Sequence, residues 1–253
     1  MNPIAVALDL PTLDEARNLA SRLRGSVGMV KVGLELFVEA GPRALVVGED
    51  ADAPVFLDLK LHDIPETVER AVARAADAGV RVLTVHAAGG PRMLRAAVRR
   101  AEKENPSMRI CAVTVLTSLD TGDLPAVGLA RNAPSGVPDR SVADVVSALA
   151  QMAHGEGVRS FVCSVHEVAT LRAAFGPETF LVTPGIRLPG ASGADDQKRT
   201  ATPAEAIRRG ASLLVVGRPV RDAADPRATA LSLLREATES SAAVNAHDPG
   251  GAP

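Results

Sequence analysis

Short apolar, β-branched runs alternate along the chain with longer stretches whose apolar positions recur every three to four residues. The runs lie at residues 4–10, 29–34, 55–61, 82–87, 110–116, 160–165, 180–184 and 213–217. Their near-continuous apolar character predicts parallel strands covered on both faces. The stretches between them carry helix start signals. Thr12 followed by Glu15 reads as a capping box, Ser141 as an N-cap, and Pro65, Pro91 and Pro203 as first-turn prolines. Gly25, Gly79 and Gly210 stand where C-terminal helix caps are expected. Eight strand–helix alternations in 253 residues predict one α/β domain, a (β/α)8 or TIM barrel. A doubly wound sheet usually carries a glycine-rich fingerprint after its first strand, and Leu8-Asp9-Leu10-Pro11 contains no glycine.

Two segments interrupt this rhythm. Residues 119–140 follow strand five and residues 188–200 follow strand seven, both rich in Gly, Pro or Asp. Each leaves the C-terminal end of a strand, where barrel active sites form, so both are candidate lids. The barrel is expected over residues 1–237, and the small, polar stretch 238–253 is expected to be a disordered tail.

Charge placed inside apolar strands carries the chemical information. Asp9 ends strand one, Lys31 lies in strand two, Asp58 and Lys60 lie in strand three, and Asp63 follows it. In Phe56-Leu57-Asp58-Leu59-Lys60-Leu61 the charges alternate with leucines, which puts Asp58 and Lys60 on one face. The leucines must meet the helices, so the charged face points into the barrel. Buried charges are tolerated there only when paired, and a purely structural ion-pair network stabilises weakly. A mixed acid–base cluster at barrel strand ends therefore reads as catalytic. An enzyme carboxylate beside a substrate carboxylate disfavours the ground state. A nearby ammonium can stabilise a developing carbanion and then protonate it, which arginine does poorly because it holds its proton too tightly. A Schiff-base lysine competes, but it must be neutral, and aspartates at 58 and 63 favour the charged form of Lys60.

The ends of strands seven and eight read as a phosphate site. Strand seven runs into Thr183-Pro184-Gly185-Ile186-Arg187 and strand eight into Gly217-Arg218-Pro219. Each supplies a glycine for close backbone approach and an arginine for bidentate contact. Thr117 and Ser118 end strand five and can reach a substrate ring or hydroxyl. The five histidines show no metal-binding spacing; His86 reads as a packed or supporting residue, and the face of His62 is left open by the end of the strand.

Composition narrows the classes of function. The net charge of −2, 2% aromatics and no Trp or Tyr argue against nucleic-acid or anionic-membrane binding. Cys111 and Cys163 sit in apolar runs and read as buried thiols. No apolar run approaches a membrane span, and the first residues lack a basic leader, so a cytoplasmic protein is expected. Of 28 basic residues only Lys31, Lys60, Lys103 and Lys198 are lysines.

The run from Val55 to Val68, with its core D-x-K-x-x-D followed by I-P-x-T, resembles the signature of the orotidine 5′-phosphate decarboxylase family. Ala7-Leu8-Asp9, Lys31-Val32-Gly33, Val115-Leu116-Thr117-Ser118, Thr183–Arg187, Asp196-Gln197-Lys198-Arg199 and Val216–Pro219 extend the resemblance over residues 4–222. It implies a metal- and cofactor-free enzyme acting on orotidine 5′-phosphate. Asp58 would face the orotate carboxylate, and Lys60 would stabilise and protonate the C6 carbanion. Asp9 and Lys31 would contact ribose, with Lys31 also holding Asp58. Thr117 or Ser118 would read the pyrimidine edge, and Gln197 would link pyrimidine and phosphate from a closing loop. Pro184, Arg187, Gly217 and Arg218 would line the phosphate end. The resemblance further implies a homodimer in which Asp63 and Thr67 reach the neighbouring subunit's site.

Two other readings compete. Keto-gulonate phosphate decarboxylases and hexulose phosphate synthases share D-x-K-x-x-D but use magnesium, and carry a glutamate where this chain has Lys31, which is no magnesium ligand. A non-catalytic nucleotide-binding barrel has no need of Asp58, Lys60 and Asp63 together.

Overall fold

A computed structural model describes residues 2–132, 137–187 and 200–246, with side chains to residue 239. Eight parallel strands close into a barrel in sequence order, β1 pairing with β8. They are β1 (Ile4–Ala7), β2 (Met29–Val32), β3 (Val55–Leu61), β4 (Val82–His86), β5 (Arg109–Val113), β6 (Ser160–Val162), β7 (Phe180–Thr183) and β8 (Leu213–Val216). The main connecting helices are α1 (Leu13–Arg22), α2 (Leu34–Ala40), α3 (Val47–Ala51), α4 (Pro65–Asp77), α5 (Gly90–Glu104), α6 (Val142–Gly155), α7 (Val165–Phe175) and α8 (Pro203–Arg208). After β8 come the single turn α9 (Arg218–Arg221) and the long α10 (Pro226–Ala246). The expected (β/α)8 architecture is the observed one. Among the described residues no helix is long and apolar enough to cross a membrane.

Local signals place the helices as expected. Thr12 accepts from the Glu15 backbone N–H at 3.3 Å, and its hydroxyl donates to the Glu15 carboxylate at 3.0 Å. Ser141 and Asp144 form a reciprocal capping box on α6. Several predicted strands run too far at their C-terminal ends: 4–10 stops at Ala7, 110–116 at Val113 and 160–165 at Val162. The apolar run outlasts the ladder there, because residues such as Leu8 and Val115 stay buried under the surrounding helices. The stretch 119–140 holds a short 3-10 turn, Thr121–Asp123, and an antiparallel bridge between Asn132 and Pro138. Helix α10 continues to Ala246, past the boundary expected at residue 237, and the last seven residues lie outside the described part.

The strand pleat sorts side chains into two cores. Outward residues such as Val6, Val30, Leu57 and Leu83 pack under the helices. Ala5, Met29, Phe56, Val82, Cys111, Phe180 and Leu213 fill the lower barrel interior. Two residues further along β2 and β3, the inward positions become Lys31 and Asp58. The charges thus stand on an apolar plug at the C-terminal end of the barrel.

Candidate active site

Above the plug opens a cavity of ≈ 460 Å³, a size usual for small-molecule sites. Asp9, Lys31, Asp58 and Lys60 line one side, with Thr117, Pro184, Gly185, Arg187, Gly217 and Arg218 among the remaining lining residues.

The four charges form an alternating row. Lys31 Nζ lies 2.9 Å from Asp9 Oδ1 and 3.6 Å from Asp58 Oδ2, and Lys60 Nζ lies 2.9 Å from the same Asp58 oxygen. The Lys31 side chain is only 9% exposed and that of Asp58 13%. Burial by itself pushes the Asp58 carboxyl up. The ammonium groups of Lys31 and Lys60, with hydrogen bonds from Lys60 and Thr84, more than reverse this and hold it below the usual carboxylate value. Asp58 is thereby kept an anion, flanked by two cations. Gly33 admits the close approach: a Cβ there would lie 2.6 Å from Asp9 Oδ1 and 2.9 Å from Lys31 Nζ.

Asp58 and Lys60 do meet, though not by simple pleating. The β3–β4 register shifts between Leu57 and Leu61, and Lys60 has a left-handed backbone with φ +50°. Such a conformation is uncommon for a side chain without local hydrogen-bonding ability and clusters at functional sites. Thr84 on β4 supports it, accepting the Lys60 backbone N–H at 2.8 Å and donating to Asp58 Oδ1 at 2.9 Å.

At the C-terminal end of β7, backbone bonds from Arg187 N to Ala201 O and from Ala201 N to Gly185 O pin the segment that follows. Arg218 opens α9 directly after Gly217. The His62 and His86 rings lie beside the row with centroids 5.5 Å apart, tilted by 37° to each other. Burial, then the charges of His62 and Lys60, lower the His86 pKa, which favours the neutral ring.

Of the pair Thr117 and Ser118 only Thr117 lines the cavity, Asp63 and Thr67, expected to reach a neighbouring subunit's site, do not line this one, and Gln197 lies outside the described residues. Asp63 is exposed, its Oδ1 accepting the Ile64 backbone N–H at 2.6 Å. Thr84 and Arg221 escape sequence reasoning. A threonine in an apolar strand reads as an ordinary β-former, and one arginine among many carries no signal. Arg221 lines the cavity and donates to the Asp9 backbone carbonyl at 2.9 Å.

Residues 2–233 match the Orotidine 5'-phosphate decarboxylase / HUMPS family. The orotidine 5'-phosphate decarboxylase of Anaeromyxobacter sp. (strain K) is 53% identical over 230 residues, covering 91% of this chain and 96% of its own. That of Chromohalobacter salexigens is 48% identical over 239 residues, covering 94% and 97%. A crystal structure of the enzyme from Lactobacillus acidophilus superposes with a TM-score of 0.80 at 34% identity, covering 94% of this chain and 99% of that one.

Proposed function

The chain belongs to the orotidine 5′-phosphate decarboxylase / HUMPS family, and from that premise we propose that it converts orotidine 5′-phosphate to uridine 5′-phosphate and CO2 without metal or cofactor. The observation that carries this reading is the alternating row Asp9–Lys31–Asp58–Lys60 on one side of a cavity whose lining also includes Arg187 and Arg218.

The substrate phosphate docks against Arg187, Arg218 and the backbone at Gly217, far from the reacting bond. Its binding energy is spent on alignment. The substrate carboxylate is brought against Asp58, whose own charge is locked in by its two lysines, so the contact is repulsive in the ground state. Breaking the C6–carboxylate bond releases CO2 and leaves the electron pair on C6. That removes the repulsion and creates an anion beside the Lys60 ammonium. Lys60 then transfers a proton to C6. Lys31 holds Asp58 and, with Asp9, contacts ribose. Thr117 or Ser118 reads the pyrimidine edge, and Gln197 closes over it. The active unit is a cytoplasmic homodimer in which Asp63 and Thr67 complete the neighbouring site.

Lys31 also favours this reading over the magnesium-dependent relatives, because an ammonium at that position repels a divalent cation. Purified protein with excess chelator should consume orotidine 5′-phosphate, followed as loss of its absorbance. Lys60→Ala should abolish turnover and Lys103→Ala should leave it unchanged. No turnover by the wild type sinks the reading. Turnover lost to the chelator and restored by magnesium favours the sister chemistry.

A further inference from the structure

We propose that Thr84 is a positioning residue for this reaction, its hydroxyl clamping the left-handed Lys60 backbone and one oxygen of Asp58. The inference rests on the reading of Lys60 as proton donor.

Thr84 is fully buried in the middle of β4, on the inward face. Its one hydroxyl makes two contacts of different sense. It accepts the Lys60 N–H at 2.8 Å and donates to Asp58 Oδ1 at 2.9 Å. The first contact substitutes for a ladder bond. Where the β3–β4 register breaks between Leu57 and Leu61, the Lys60 amide is taken by a side chain of β4 and not by a main-chain carbonyl. A buried amide left without a partner is strongly disfavoured, so the hydroxyl selects the local backbone that keeps this bond. The second contact divides the carboxylate. Oδ1 is anchored to Thr84, which turns Oδ2 toward Lys60 Nζ at 2.9 Å and Lys31 Nζ at 3.6 Å. One hydroxyl therefore sets both the origin of the Lys60 side chain and the partner that orients its tip.

A purely structural role, filling the barrel interior with a β-branched side chain, makes different predictions. Thr84→Val keeps the shape and removes the hydroxyl, whereas Thr84→Ser keeps the hydroxyl and removes the methyl. If Thr84 positions Lys60, Thr84→Val lowers kcat about 10–100-fold, with KM within about 3-fold, since a small misplacement of a reacting group is felt in the chemical step. Thr84→Ser keeps kcat within about 3-fold of wild type on the same argument. Hydrogen exchange at the Lys60 amide, followed in the folded proteins, speeds up about tenfold or more in Thr84→Val and stays slow in Thr84→Ser. Wild-type kcat in a folded Thr84→Val, or equal losses in the Ser and Val variants, overturns the proposal. Should the wild type fail to turn over orotidine 5′-phosphate, the functional reading falls. The clamp is then judged on amide exchange alone, and slow exchange in Thr84→Val overturns it.

Discussion

Asp58 is pulled in two directions, and the outcome can be read from the acid side of a stability profile. Burial raises its pKa; Lys31, Lys60 and two hydrogen bonds lower it further than burial raises it, to below 3.8. A carboxyl whose folded pKa lies below its unfolded value contributes stability that is present above the unfolded value. That stability is lost as pH falls through the folded one. Denaturant titrations should therefore show a loss from this group only below about pH 4. Asp58→Asn should flatten that acid decline while lowering stability at pH 7, because Lys31 and Lys60 lose the anion that stands between them. An unchanged decline below pH 4 in Asp58→Asn contradicts the arrangement. His86 acts in a separate window. Its pKa is lowered from 6.5, so its neutral form is favoured in the fold and stability falls as pH drops through 6.5. Side-chain chemistry also accounts for which lysines the chain retains. Arginine serves at 24 positions, but Lys31 and Lys60 occupy the charged row, where the proposed reaction calls for a compact charge and a transferable proton. Lys198 lies outside the described residues, and Lys103, in the last turn of α5, is explained by nothing in the structure.

At the scale of elements, scaffold and site separate cleanly enough to be tested. Arg172 on α7 donates to the carbonyls of Gly176, Pro177, Thr179 and Gly210 and to the Ser212 hydroxyl, tying the end of α7 to the starts of β7 and β8. This is the N-terminal rim of the barrel, the end associated with stability rather than chemistry. Arg172→Met strands several carbonyls at once and should destabilise by about 3 kcal/mol, lowering the melting temperature by about 6–12 °C, with kcat unchanged below the transition. A large fall in kcat at low temperature contradicts the separation. The same scale shows what was legible beforehand. Alternation of strands and helices, the capping residues of α1 and α6, and the inward charge of Lys31 and Asp58 all follow from local pattern. Strand ends did not, because burial continues past the last ladder bond at Leu8 and Val115. The left-handed turn at Lys60 was also hidden, since it depends on a hydroxyl supplied by the neighbouring strand 24 residues away. Period-two reasoning reached the right pairing of Asp58 with Lys60 without the bulge that actually produces it.

For the whole molecule, the proposed dimer gives Asp63 a use that one subunit does not. Asp63 is exposed and absent from its own cavity, although it follows Lys60 by three residues. Three large apolar residues are also exposed at this end of the barrel: Leu34 and Val38, one turn apart on α2, and Ile64, the residue after Asp63, by 54%, 81% and 64%. These residues follow β2 and β3, the strands that carry Lys31, Asp58 and Lys60. A second copy covering this surface would bury apolar groups next to the row and bring its own Asp63 toward it, as a two-fold interface requires of both subunits equally. Trans placement makes a prediction that cis placement forbids. Lys60→Ala and Asp63→Ala proteins should each be inactive alone. If Asp63 acts across the interface, unfolding and refolding an equal mixture yields heterodimers in which one site draws Lys60 and Asp63 from the two unmutated contributions. About a quarter of the wild-type activity returns, since half the dimers are mixed and each holds one complete site. If Asp63 acts within its own chain, every site in the mixture lacks one group and no activity returns. Ile64→Arg should separate the subunits in sedimentation and abolish turnover together. An active monomer is incompatible with a site completed by its neighbour.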